Sequence, residues 1–355
     1  MKIASQTHEQ QQAQKSPWLA VNLSAVLPGA GQIYDGAIAR GIVIALAHVG
    51  LIWFIVWSIF GAQGNTARGL LLLLPFFVLY LFNLWDSHHA ARRVSSLANV
   101  SPLRFATSDP WYPVLLSHVL PGLGQLYLQR ALVGGVLLLL GIGTAYLANF
   151  YPILLPVSPI IWAAACGLAY WASPTPRRQW GILAGLLAAI VIIHLSISSV
   201  PIVVQQLVAQ TIIPSESMLP TLEVQDRLFV RLWDNYQPQT GDVVVFYAPP
   251  YARQDRDSDE EFLVVKRVIG LPGQQVEVRD GLVWIDGTAL NEPYIAEPPL
   301  YQWGPQTVPP NELFVLGDNR NASFDSHLWG FLPQPYLLGK AYKIYWPPRR
   351  VQPLS

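Results

Sequence analysis

Five apolar runs of about twenty residues each occupy most of residues 41–200: 41–60, 69–85, 131–150, 152–172 and 180–200. An α-helix needs ~17–25 apolar residues to cross a hydrocarbon core, and each run has that length. A chain with five such segments cannot hide them in an ordinary soluble core. None resembles a removable signal peptide, because the first 16 residues are polar and Gln-rich and the runs lie inside the chain. Apolar residues make up 52% of the whole and charged residues 12%, about half the ~25% charged residues usual for soluble domains. Both intrinsic disorder and an ordinary cytosolic enzyme are disfavoured.

The formal net charge of zero conceals an asymmetry. Ten Lys/Arg and four Asp/Glu precede residue 201, while twelve and eighteen follow it, so the two parts carry +6 and −6. Neither nucleic acid nor any other strongly charged partner is expected. Cys166, the lone cysteine, can build neither an internal disulfide nor a cysteine cluster.

Two further apolar stretches are broken by Leu-Pro-Gly, and they repeat at an offset of 93 residues. PWLAVNLSAVLPGAGQIY (17–34) lies over PWYPVLLSHVLPGLGQLY (110–127). Proline removes an amide donor and glycine loosens a helix, so both stretches read as re-entrant or interfacial hairpins, not spans. With five spans, Lys2, Lys15, Arg40, Arg92, Arg93, Arg104, Arg130, Arg177 and Arg178 fall on one side of the membrane and only Arg68 on the other. The positive-inside rule makes the first side cytoplasmic and puts residues 201–355 outside the cytoplasm. The expected organisation is a polar cytoplasmic tail (1–16), a first membrane repeat (17–109), a second (110–179), a final anchor helix (180–200) and an extracytoplasmic β domain (201–355). The repeated module reads first as a helical hairpin turn; docking of a translocon, a lipid or a substrate is the alternative.

After residue 200 the pattern changes to short runs with turn signals: 227–233, 242–247, 262–269, 275–279, 282–285, 313–316 and 341–345. Asp-Gly pairs after Arg279 and Ile285 mark tight turns. The fold class is therefore a membrane all-α region followed by an all-β domain. The acidic run 255–261 reads as a solvated loop. His327 is the only histidine here, so a histidine-based triad or multi-histidine metal site is poorly supplied. Lys266 shares one strand face with Val264 and Val268 by the period of two. Burial on such a face lowers a lysine's pKa and frees an amine to act as general base; an ammonium snorkelling from a half-buried strand is the ordinary alternative. Ser215 and Ser217 lie in a segment stiffened by Pro214 and Pro220. Ser217 could attack a carbonyl while Ser215 donates to the developing oxyanion, although a Ser/Pro-rich stretch is ordinarily just a turn.

In order along the chain, PSESMLPTL (214–222), GDVVVF (241–246), VKRVIGLPG (265–273) and GDNRNASFDSHLWGFLP (317–333) resemble type I signal peptidase, peptidase family S26, box by box. The resemblance implies an all-β catalytic domain and a Ser/Lys dyad without metal or organic cofactor. It implies Ser217 as nucleophile, Lys266 as general base, Ser215 at the oxyanion hole and Ser323 as the serine orienting the lysine. Asp318 would pair with Arg267, and Asp325 would buttress the same corner. Ile213, Pro214 and Met218 would line shallow pockets for small side chains. Implied substrates are exported preproteins cleaved after small residues at −1 and −3. Two departures stand out: Asn321-Ala322 and Asp325-Ser326-His327 replace the more usual Asp-Asn and Asp-Ser-Arg, a form similar to the cyanobacterial and plastid branch. His327 in place of arginine weakens an ion pair at neutral pH. A catalytically idle adaptor that binds preproteins, or a transporter or channel with a regulatory β domain, are the readings from other classes.

Overall fold

A computed structural model describes residues 15–96, 109–173, 179–232, 236–253 and 262–354. Most of the polar tail, Lys2, Arg104, Arg177, Arg178 and the acidic run 255–261 lie outside the described residues. The chain divides into two compact units, residues 1–54 with 72–201 and residues 55–71 with 202–355.

In the first unit each repeat opens with a helical hairpin. Helix α1 (Pro17–Val26) turns at Leu27-Pro28-Gly29 into α2 (Ala30–Tyr34), followed by α3 (Ile38–Phe60), which ends in the second unit. Beyond α4 (Thr66–Leu71), which belongs to the second unit, comes α5 (Leu73–Ser96). The second repeat has α6 (Trp111–Val119), α7 (Leu123–Tyr127), α8 (Ala131–Leu147) and α9 (Val157–Ala172). The ten residues of α1 rise only about 15 Å, half of a ~30 Å hydrocarbon core.

The repeats match atom by atom. Gly31 N donates to Ser24 Oγ at 3.0 Å and Gly124 N to Ser117 Oγ at 3.1 Å; Ser24 and Ser117 each donate to the glutamine Oε1 eight residues on, at 3.2 Å. Gln32 Nε2 then reaches Asn83 O at 3.1 Å, and Gln125 Nε2 reaches Ala165 O at 2.8 Å. Gly29 (φ +88) and Gly122 (φ +98) close the turns, and a Cβ on either would lie 2.1 Å from the carbonyl oxygen of Gly41 or Gly134. Left-handed backbone costs a Cβ-bearing residue about 1–2 kcal/mol before any clash. Gly122→Ala is therefore expected to lower the thermal midpoint of the full chain in detergent. Gly135→Ala, on a helix face with nothing within 4 Å, should leave it unchanged. Equal midpoints for the two variants would show that the turn relaxes around the methyl group.

Among the described residues four helical stretches are long and apolar enough to cross a membrane: Ile38–Phe60, Thr66–Arg93, Pro152–Ala172 and Trp180–Leu207. The fifth expected span is shorter: α8 has 17 residues, about 26 Å of rise against the ~30 Å core. The last helix, α10 (Trp180–Leu207), runs past Val200 and through Pro201. A proline removes one amide donor, and the apolar residues that follow carry the helix on. The anchor helix therefore outruns its expected end at residue 200, and residues 201–212 are the end of α10 plus an edge strand.

The second unit holds two sheets. Strands β1 (Val208–Ile212), β2 (Arg227–Arg231), β3 (Val243–Tyr247), β4 (Leu263–Gly270), β5 (Gln275–Arg279), β6 (Leu282–Ile285), β7 (Thr288–Ala289), β8 (Trp303–Thr307), β9 (Glu312–Leu316), β10 (Leu332–Pro333), β11 (Leu337–Trp346) and β12 (Gln352–Pro353) follow in order. The larger sheet runs β1-β2-β11-β3-β4-β9-β10, with β12 against β11; the smaller runs β7-β6-β5-β8. All pairings are antiparallel. Asp280-Gly281 and Asp286-Gly287 both take positive φ, the geometry of type I′ turns that matches strand twist. After β1 the strands are interrupted by a short helix, α11 (Ser326–Trp329), and by single 3-10 turns such as 250–252 and 320–322, a departure from a purely all-β pattern. β4 is central and buried on both faces: Val265 packs with Val243, Val245 and Met218, and Val264 and Val268 pack with Val244 and Phe246.

Residues 55–71 are part of this unit. Lys343 on β11 is fully buried, and its Nζ donates to the carbonyls of Ser58 (3.1 Å), Ile59 (2.8 Å) and Gly61 (3.1 Å). The carbonyls of a helix's last turn lack intrahelical partners and carry the negative end of its dipole, so an ammonium satisfies both needs. Tyr342 Oη donates to Phe60 O at 3.0 Å, and the Phe60 ring stacks on Phe229 with centroids 5.5 Å apart.

Candidate active site

The segment after β1 is fixed at both ends before any chemistry is considered. Ile213 and Met218 are buried; Ile213 N donates to Asp226 O and Gln225 N to Ile213 O, each at 2.9 Å. In the middle, Asn319 N donates to Ser217 O and Asn319 Nδ2 to Glu216 O, both at 3.1 Å. Ser215 is left exposed and Ser217 half-buried.

β4 brings Lys266 to that segment. Its register sets Lys266 opposite Val244, which puts the lysine on the apolar face shared with Val264 and Val268. Lys266 is 4% exposed. Its Nζ donates to Ser217 Oγ at 2.6 Å, and Ser215 Oγ donates to Ser217 Oγ at 3.3 Å. Burial lowers the Lys266 ammonium to about 8, with Asp325 and then Asp318 pulling the other way.

Arg267, the next residue, faces away from this contact and is locked. Its Nε and Nη2 make a bidentate pair with Asp318 at 2.8 and 2.7 Å, and Nη1 donates to Gly241 O at 2.6 Å. Thr221 Oγ1 donates to Asp318 Oδ2 at 2.5 Å, and the guanidinium lies 3.9 Å from the Tyr294 ring centroid. Asp325 is fully buried, and its Oδ2 accepts from Gly317 N at 2.8 Å. Ser323 is buried as well, but among the described residues its Oγ has no hydrogen-bond partner; the expected bond to Lys266 is not formed in this structure. Gly317 sits between these groups: a Cβ there would lie 2.2 Å from Ser323 Oγ and 2.4 Å from Ser217 O.

Ile213, Pro214 and Met218 line a groove of about 310 Å³ that also takes in Ser217 and Lys266. Phe246, Phe262, Phe324 and Trp329 complete its apolar wall and were not among the sequence candidates. Phe324 and Trp329 stand inside the fourth motif, and Phe246 ends the second. The supporting network likewise includes residues beyond the sequence candidates, Arg320 inside the fourth motif and Glu292 and Tyr294 outside all four. Arg320 and Glu292 form a buried ion pair at 2.5 Å, and Tyr294 lies under Arg267. Among the described residues no group of three His, Cys, Asp or Glu side chains could hold a metal ion.

A family model for signal peptidase, peptidase S26, matches residues 183–346. A signal peptidase I of Leptolyngbya laminosa is 49% identical over 145 residues, covering 40% of this chain and 71% of that one. The chain belongs to the signal peptidase I family. A probable signal peptidase I-1 of Synechocystis sp. is 50% identical over 140 residues, 39% of this chain and 71% of its own. A chloroplastic thylakoidal processing peptidase 1 of Arabidopsis thaliana is 41% identical over 145 residues, 39% of this chain and 42% of its own. The chain is thus a signal peptidase I of the cyanobacterial and plastid type, an S26 serine peptidase and hydrolase. Both Leu-Pro-Gly repeats precede the matched region.

Proposed function

We propose that this signal peptidase I is a membrane-bound endopeptidase that removes N-terminal signal peptides from exported preproteins through a Ser217/Lys266 dyad. The observation that carries this reading is the 2.6 Å contact between a buried lysine amine and the Ser217 hydroxyl. Neutral Lys266 takes the Ser217 proton as Oγ attacks the scissile carbonyl. The developing oxyanion is held by the Ser217 N–H and the Ser215 hydroxyl. Lysine's new proton passes to the leaving amine, which leaves a Ser217 ester. Lys266 then takes a proton from water, the hydroxide attacks the ester, and the proton returns to Ser217. Ser323 is the partner toward which the amine can turn once its bond to Ser217 is broken; Arg267–Asp318 and Asp325 hold the corner in place. The shallow apolar surface at Ile213, Pro214 and Met218 supports selection of small residues at −1 and −3.

The same reading sets residues 1–16 in the cytoplasm and divides the membrane region at 17–109, 110–179 and 180–200. Residues 201–355 are then extracytoplasmic, in a bacterial plasma membrane or a thylakoid. Five crossings satisfy the positive-inside pattern, with α8 as the short one, thinning the bilayer or drawing its ends inward. The two repeats are candidate contacts for lipid or a translocon.

The test is cleavage of a model preprotein by the full chain in detergent, with the new N-terminus sequenced and kcat/KM followed from pH 6 to 10. Lys266 works in its neutral form, so kcat/KM should rise tenfold per pH unit on the acid side and level off near pH 8. A flat profile across pH 7–9 would refute lysine as the base.

A further inference from the structure

We propose that His327 is a positioning residue of this site, acting through Asp325 and Gly317 on Ser217 and Lys266. The inference rests on the Ser217/Lys266 reading and adds a group that touches neither residue. His327 Nδ1 lies 2.7 Å from Asp325 Oδ1, and its own backbone N donates to the same oxygen at 3.3 Å. A carboxylate only accepts, so Nδ1 must carry the proton. The ring is held from its face: it stacks on Tyr301 with centroids 4.0 Å apart and planes 12° from parallel. The imidazole therefore cannot swing away from Asp325 without losing the stack.

Asp325 passes this restraint on. Its other oxygen accepts from Gly317 N, and Ser326 Oγ accepts from Val315 N at 3.0 Å, so the turn 325–327 is fastened to β9 and the residue after it at two points. Gly317 has no slack, because it is packed against Ser217 O and Ser323 Oγ. A movement of Asp325 is thus delivered to the backbone that carries the nucleophile. Asp325 also heads the charges that hold the Lys266 ammonium up against burial. Among the described residues, the ionisable groups tied to this corner are Tyr301, on which the charges of Asp325, Arg320 and Glu292 act, Tyr294 beside Arg320, and Asp318, which acts with Asp325 on Lys266. Arg320 donates to Gly317 O and is committed to Glu292. His327 is therefore the group that faces Asp325 with a ring N–H.

Three variants separate the possible roles. His327→Phe keeps a ring on Tyr301 and removes the donor. His327→Asn supplies an N–H near the Nδ1 position without a ring. His327→Arg sets a fixed positive charge beside Asp325. Loss of the donor is expected to lower kcat about tenfold or more with KM little changed, since small misplacements of reacting groups carry such costs. It should also move the acid limb of kcat/KM to higher pH, because Asp325 then keeps its charge less shared. His327→Asn should recover most of the activity, and His327→Arg should move the limb to lower pH. Equal losses in Phe and Asn with an unmoved limb would reduce His327 to a packing residue, and full activity in Phe would overturn the proposal outright. If Phe fails to fold, the opposite limb shifts expected between Arg and wild type decide the matter. A wild-type enzyme with no acid limb, or an active Lys266→Ala, would instead sink the dyad itself whatever the His327 variants do.

Discussion

Ser217→Ala and Lys266→Ala are each expected to cut preprotein processing by at least about four orders of magnitude while leaving the chain folded. Loss of a nucleophile or its base in comparable hydrolases removes nearly all the acceleration such a pair provides. Neither change should disturb the fold. Ser217 is half-buried and its backbone is held by Asn319, not by its hydroxyl. Lys266→Ala removes a buried amine rather than leaving a charge without a partner, so its stability loss is that of a small cavity beside Phe246 and Val268. The double variant should be no slower than either single one, since the two side chains act as a unit. Measurement is by single-turnover cleavage of a preprotein, with circular dichroism as the folding control. Processing undiminished by either change would favour the idle adaptor; solute flux independent of Ser217 would favour the transporter.

The second large effect is on stability. Arg267→Met leaves the Asp318 carboxylate fully buried with Thr221 as its remaining side-chain donor. Removing one partner of a buried pair typically costs about 3–5 kcal/mol, because the other charge is left uncompensated. The unfolding midpoint of the full chain in detergent should fall accordingly. Adding Asp318→Asn to Arg267→Met should restore part of the loss, because no buried charge then remains. A double variant as unstable as the sum of the single ones would mean that the pair contributes through packing alone, with Tyr294 under the guanidinium as the main contact.

The readable parts of this chain are those where one local rule governs. Asp280-Gly281 and Asp286-Gly287 announce their turns because only a few residue types accept positive φ. Strands β5 and β6 fall at the expected residues, and the Leu-Pro-Gly hairpins form where a missing amide and a glycine coincide. Elements with competing signals are not legible in this way. β1 (VAQTI) follows α10 with no glycine, proline or turn signal between them, and β8 contains Pro305, which argues against a strand in any local reading. At the site, Ser217 and Lys266 stood out through motif order, and Asp318 with Arg267 through the same motifs. The Arg320–Glu292 pair joins residues 28 apart with no periodic relation, so nothing local marks it. The unpartnered Ser323 hydroxyl is a matter of rotamer and neighbour, below the resolution of a sequence pattern. The membership of residues 55–71 in the same unit as 202–355 likewise leaves no trace in either segment.

That last feature has a dimension in time. Phe60 and Tyr342 are 282 residues apart, and at ~5–20 residues per second a ribosome takes roughly 15 seconds to a minute to cover that distance. Throughout that interval the final turn of α3 has emerged and its carbonyls must be solvated by something other than Lys343. The catalytic domain, for its part, completes its last long strand against a tip that was synthesised first. Completion of the β domain therefore waits on residues 55–71, and a chain in which that early segment is displaced leaves Lys343 without its carbonyl partners and β11 without its cover.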